Sequence, residues 1–225
     1  MSWSLNELQT AIANEVDQSS SAPTAGGTDW LIRRNLLNRA IQDWGDTYDW
    51  KELKKIHNGL VTAAGFATYS LPVNFKKLDG FPQITWDGST TDNFSQIDPS
   101  KTTQYSDTDK YVYISGDNRT GKYMYIHAQT LASGASVSFT HWISPTSLAS
   151  ASDVTECPDG TYLVQRTLYY LYKAREDGRF PEAKAESDKI MARMIENENT
   201  LGQSHNDNRV QRWEESRYAF RIGRD

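Results

Sequence analysis

A single cysteine, Cys157, stands in a chain of 225 residues. That excludes an internal disulfide framework and any zinc or iron–sulfur site built from several thiolates. Histidine is scarce as well. His57, His127, His141 and His205 are never three or four residues apart, the spacing at which one helix offers two ligands to a metal. No run approaches the roughly 18 consecutive apolar residues of a membrane span. Met1 to Glu7 has neither the basic start nor the apolar run of a secretory signal. An excess of positive charge is missing too. Lys+Arg is 24 against Asp+Glu 29, a formal net charge of -5, whereas a protein that grips nucleic acid is normally basic. The glycine-rich phosphate loops and the G-x-S-x-G nucleophile turn are absent.

What the chain does have is aromatic residues. Phe, Trp and Tyr make up 12% of it, with seven Trp and twelve Tyr, although apolar residues reach only 37%. Mean hydropathy is -0.69. A hydrophilic chain rich in large flat side chains has the composition of an assembly component, because such residues are enriched in protein interfaces.

The ends of the chain read as helical. Ser4 and Glu7 form a capping box, and Leu5, Leu8, Ile12 and Val16 follow at helical spacing. A Ser/Pro/Gly loop over 18–27 leads to a second helix capped by Thr28 or Asp29. Its stripe is Trp30, Leu37, Ile41 and Trp44, and Gly45-Asp46 ends or bends it. After Pro158-Asp159-Gly160 a third helix carries Val164, Leu168 and Leu171 on one stripe, flanked by Leu163, Tyr169, Tyr170 and Tyr172. A turn at Gly178 and a first-turn Pro181 start a fourth helix, which Gly202 is expected to stop. The short turn predicts an antiparallel helical hairpin.

The middle is different. Tyr111–Ser115 and Lys122–His127 are aromatic and β-branched runs around a Gly/Asn/Asp loop, a hairpin signal. Val137, Phe139, His141 and Ile143 alternate on one face of a further strand. From 85 to 155, Ser and Thr number twenty-three, which disfavours long helices. Only one of thirteen arginines, Arg119, falls between 51 and 160, while eight of eleven lysines do, so the boundary is compositional. The expected fold is α+β: a four-helix core (1–50 and 158–202) built from antiparallel helical hairpins, a β-rich insertion (51–157) between the second and third helices, and an extended C-terminal arm (203–225).

Candidate chemistry is thin. His127 and His141 could meet across strands with an acid as third ligand, but ordinary strand histidines are the favoured reading. Cys157 precedes a helix start, where a thiol can be activated. A small buried residue at a boundary explains it as simply. The most informative segment is the tail. Arg209, Arg212, Arg217, Arg221 and Arg224 alternate with acids there, and Trp213, Tyr218, Phe220 and Ile222 are interleaved. Arg, Trp and Tyr dominate binding hot spots, so the segment reads as a docking arm. Trp86, Tyr111, Tyr113, Tyr123 and Tyr125 form a candidate β surface facing a neighbour or a tail component. Stacking of sugars on these rings is the alternative reading.

Taken together, the chain resembles the head–tail adaptor (connector, or head-completion) proteins of tailed bacteriophages, closest to the tail tubular protein A type. The resemblance rests on Ala40-Ile41-Gln42-Asp43-Trp44 running to Tyr48-Asp49-Trp50, and on Tyr69-Ser70-Leu71-Pro72-Val73-Asn74-Phe75, a Y-x-L-P-x-(D/N)-F pattern. Cys157-Pro158 leading into Leu168-Tyr169-Tyr170-Leu171-Tyr172-Lys173-Ala174, and the Ala/Glu-rich stretch from Glu182, complete it. It spans roughly 5–200. It implies a non-enzymatic virion protein without cofactor or metal, assembled in the host cytoplasm at the head–tail interface. It also implies a homododecameric ring beneath the portal, a C-terminal segment gripping the portal, a surface for a tail or nozzle protein, and a channel through which DNA passes. No membrane is implied. An acidic balance suits a channel wall to which DNA should not adhere.

Overall fold

The protein is described by a computed structural model covering residues 3–61, 68–85, 91–106, 109–117, 119–127 and 136–219, excepting the side chains of 59–60, 84–85 and 201–219. It divides into two compact units. One comprises residues 1–51 and 147–225, the other residues 52–146.

The helical unit begins with α1 (Leu5–Asp17) and α2 (Thr28–Thr47), and after the β unit continues with α3 (Gly160–Ala174) and α4 (Phe180–Ala219). The capping box closes α1: the Glu7 amide donates to the Ser4 hydroxyl, and the Glu7 carboxylate accepts from the Ser4 amide at 2.7 Å. Donation from the Ser4 amide and hydroxyl to this carboxylate holds the Glu7 carboxyl below its ordinary range. The N-cap of α2 is Gly27 rather than Thr28 or Asp29, and Asp29 lies in the first turn, where its charge meets the helix dipole. Asp159 caps α3 by accepting from the Thr161 amide at 2.9 Å. A short antiparallel bridge between Ser4 and Val154, with the Leu5 amide donating to the Asp153 carbonyl, ties the start of α1 to the segment before α3.

The β unit holds β1 (Lys54–Val61), β2 (Thr68–Ser70), β3 (Phe75–Thr85), β4 (Thr91–Asn93), β5 (Ser95–Gln96), β6 (Tyr111–Asp117), β7 (Gly121–His127) and β8 (Ser136–Ile143). They form two four-stranded sheets, β1-β8-β3-β4 and β2-β7-β6-β5. Among the described residues only β5 and β6 pair in parallel, and every other pairing is antiparallel. Strand β8 shows strict alternation, with Val137, Phe139, His141 and Ile143 buried and the residues between them more exposed. Val137 and Phe139 meet Phe75, Leu78, Phe94, Val112, Met124 and Ile126 in one apolar cluster drawn from both sheets.

The four-helix core with a β insertion is therefore corrected. The β residues are not an appendage: they build two full sheets around a core of their own. Nor do the helices form two equal hairpins. α1, α2 and α4 each pack against α3, which buries Tyr162, Leu163, Val164, Thr167, Leu168, Tyr170, Leu171 and Tyr172. A helix buried on several sides must be apolar beyond one stripe, so the residues flanking the α3 stripe mark a central helix. The arm is corrected as well. The backbone continues as helix through Gly202 to Ala219 rather than as an extended strap. One glycine costs a helix only about 1 kcal/mol, which good helix formers on either side offset.

Candidate functional site

The paired strands β6 and β7 turn two different faces outward and inward. Val112, Met124 and Ile126 point into the core. The alternate residues form a ladder on the opposite face. Tyr113 is the register partner of Tyr125, and Tyr111 of His127. The Tyr113 and Tyr125 rings stack with centroids 4.6 Å apart, and Tyr111 stacks on His127 at 4.5 Å. Tyr105, just past the 3-10 turn Pro99–Gln104, extends the row to Tyr111 at 5.2 Å. Ser115 stands opposite Tyr123, whose hydroxyl donates to the Thr120 carbonyl at 3.2 Å. Thr68 and Ser70 on β2 pair with Tyr125 and Tyr123 and add hydroxyls to the same face.

The turn that sets this register is tightly specified. Gly116 and Gly121 both take positive φ. A Cβ on Gly116 would run into the Gly121 carbonyl. The Asp117 carboxylate accepts from the Thr120 and Arg119 amides at 2.8 and 2.7 Å. Those bonds hold its carboxyl below the ordinary range. Desolvation, with Tyr125 alongside, pushes the Tyr113 hydroxyl up.

The four tyrosines expected on one β surface, Tyr111, Tyr113, Tyr123 and Tyr125, share one face of this hairpin, where Tyr113, Tyr123 and Tyr125 are half-buried and Tyr111 is buried. Trp86, assigned to the same surface, lies outside the described residues. His127 and Tyr105 were missed. His127 lies as far after the turn as Tyr111 lies before it, so placing the turn would have paired them. Tyr105 belongs to the row only through tertiary packing, and no local signal marks it.

In the docking segment, Arg209, Arg212, Trp213, Arg217 and Tyr218 fall on the backbone of α4, whereas Phe220 and Arg221 lie outside the described residues. The near part of α4 is anchored. Ala183, Ser187, Ile190 and Met194 are buried, and Arg193 pairs with Asp159 at 2.8 Å, level with the start of α3. Tyr48 donates to the Asn199 side chain at 2.7 Å, and Lys51 pairs with Glu198 at 2.9 Å. The helix then runs on past residue 200.

The other candidates resolve plainly. His127 and His141 lie in different sheets, and the neighbour of His141 is His57, at a ring separation of 6.4 Å. Among the described residues no group of three His, Cys, Asp or Glu could hold a metal ion. Cys157 is buried, its thiol directed to the Asp159 carbonyl at 3.5 Å. Among the described residues no helix is long and apolar enough to cross a membrane.

The described residues thus comprise two compact units, an aromatic ladder on one face of a hairpin and a helix that outruns its packing partner. The family is specific: the sequence model of the SU10 adaptor protein matches residues 3–215, nearly the whole chain, and the chain belongs to that family. It is a structural phage adaptor protein of the virion, a role that brings it against portal and tail components. No curated protein matches the chain.

Proposed function

We propose that the protein is the head-to-tail adaptor itself: a homo-oligomeric ring, dodecameric in this reading, that docks on the portal and extends the DNA channel. Its outer surface then offers attachment to a tail or nozzle protein. The observation that carries this reading is the length of α4. Its first half is fixed on α3, and it continues past the contact of Asn199 with Tyr48 as far as Ala219. At about 1.5 Å per residue this is a projection on the order of 30 Å, long enough to reach into a neighbouring protein. The arginines and aromatics of this segment, Arg209, Arg212, Trp213, Arg217, Tyr218, Phe220 and Arg221, are the portal anchors in this reading. The tyrosine ladder of the β unit is the tail-facing or neighbour-facing surface. Closure into a ring requires a heterologous interface, two different patches of one chain meeting around a symmetry axis. DNA passes without sequence-specific contacts, in keeping with the net charge of -5.

The test is removal of residues 203–225. The expected product is a soluble, folded chain that no longer joins the portal in co-assembly followed by electron microscopy. Unimpaired rings on portal from the truncated chain would overturn the assignment of the docking segment. A monomer in every micrograph of the intact chain with portal would overturn the ring.

A further inference from the structure

We propose that His141 makes the β unit an acid-sensitive seam, at which protonation of one imidazole loosens the packing between the two sheets. His141 is only 3% exposed and sits at the border of the cluster shared by both sheets. Its ring lies stacked on Phe75 at 5.7 Å and tilted against Phe139 at 5.4 Å. Its Nδ1 is buried without a hydrogen-bond partner among the described residues. A neutral imidazole tolerates such a place at modest cost. An imidazolium does not, because a buried charge needs a counter-charge or water.

The groups facing His141 offer it no counter-charge. From β1 comes His57, stacked on Phe139 at 4.9 Å, together with Lys55, the register partner of His141, whose side chain is exposed. From β3 come Phe75 and Leu78. From β7 comes Lys122, whose ammonium donates to the Phe75 carbonyl at 2.8 Å and lies 5.9 Å from the Phe75 ring centre. Phe139 and Ile143 flank it on β8 itself. The Asp79 carboxylate belongs to the outer face of this sheet, where it is paired with Lys54. The named charges around His141 are thus cationic or able to become so. Desolvation, reinforced by His57, holds the imidazole below its ordinary range.

The sign follows. In the open state His141 takes up a proton near the ordinary histidine value of about 6.5. In the closed state it does so only at lower pH. Between those two values opening binds one proton, so the closed state is favoured above the ordinary value and loses ground as pH falls.

Hydrogen exchange of the full chain, corrected for intrinsic rates, from about pH 7 to about pH 5 tests this. Protection of β3 and β8 amides is expected to fall by up to tenfold per pH unit, while the helical unit changes little. His141→Phe, which keeps the aromatic packing, is expected to abolish that fall. Wild-type β8 protection that stays level to about pH 5, or the same fall in His141→Phe, overturns the proposal. If His141→Phe does not fold, the imidazole titration of the intact chain by NMR decides. A midpoint at or above the ordinary histidine value with the sheets still closed overturns the proposal, and a midpoint below it upholds it.

Discussion

The two units use cations differently. In the helical unit arginines join helices. Arg33, buried at 3% exposure, pairs with Asp17 at 2.6 Å. Arg166 donates twice to Asp43 at 3.0 Å and reaches Asp188 at 3.5 Å, and the Tyr170 hydroxyl donates to the same Asp43 carboxylate. Arg39 lies over the Tyr170 ring and Arg179 over the Tyr172 ring, each at 4.3 Å. In the β unit the cations are lysines apart from Arg119, among them Lys54 and Lys77, the two register partners of Trp142. A planar guanidinium can stack on an aromatic ring while forking to a carboxylate, and helices crossing at an angle need that reach. Neighbouring strands, already joined by backbone bonds, do not. The arginine gap between 51 and 160 therefore marks two ways of holding a structure together.

The largest effects should test whether the units are independent. Trp44→Ala removes a fully buried ring stacked on Trp50 at 5.3 Å, and Phe94→Ala empties the centre of the β core. Each should cost about 3–5 kcal/mol. In hydrogen exchange each should lower protection in its own unit only. Equal loss in both units from either variant would break the division.

Next come two glycines, one per unit. Gly160 lies against the Trp3 ring, so Gly160→Ala must displace the N-terminal segment. Gly116→Ala strains a positive φ and meets the Gly121 carbonyl. Both should destabilise by about 1–3 kcal/mol in denaturant melts. A neutral Gly116→Ala would mean that the hairpin register is not fixed by its turn.

Smaller still is the contrast in ion pairs. Asp43→Asn weakens a half-buried carboxylate serving Arg166 and Tyr170 and should cost about 2 kcal/mol. Lys54→Ala loses a more exposed pair with Asp79 and should cost less than about 1 kcal/mol. If the two cost the same in chemical denaturation, the helical unit gains nothing special from its arginines.

The smallest effect concerns acid. The Arg179 side chain and amide hold the Asp177 carboxyl at about 2. Its contribution is present above the ordinary carboxylate value and is lost as pH falls through about 2. Carboxyl NMR of Asp177 should show that low midpoint, and Arg179→Ala should raise it.

Much of the local structure was legible. The Ser4–Glu7 box, the alternation of Val137 to Ile143 and the hairpin around Asp117 are each decided by residues a few positions apart, so sequence suffices for them. The adaptor family was legible too, through the aromatic helix ends and the pattern around Tyr69-Ser70-Leu71-Pro72. The four tyrosines of the ladder could be named because a hairpin fixes which residues face each other.

Other features depend on long-range packing. Nothing local in Tyr162 to Tyr172 says that three helices rather than two surround α3. Strand order, not spacing, brings His57 rather than His127 to His141. Tyr105 joins Tyr111 only because the 3-10 turn folds back toward β6. By itself the sequence determined the strongly periodic helices and strands and which face of each is apolar, because those depend on side-chain periodicity, whereas the run of α4 past Gly202 to Ala219 carried no such stripe. Tertiary structure alone decided which apolar faces meet, because that depends on how two sheets and four helices share the burial available to them.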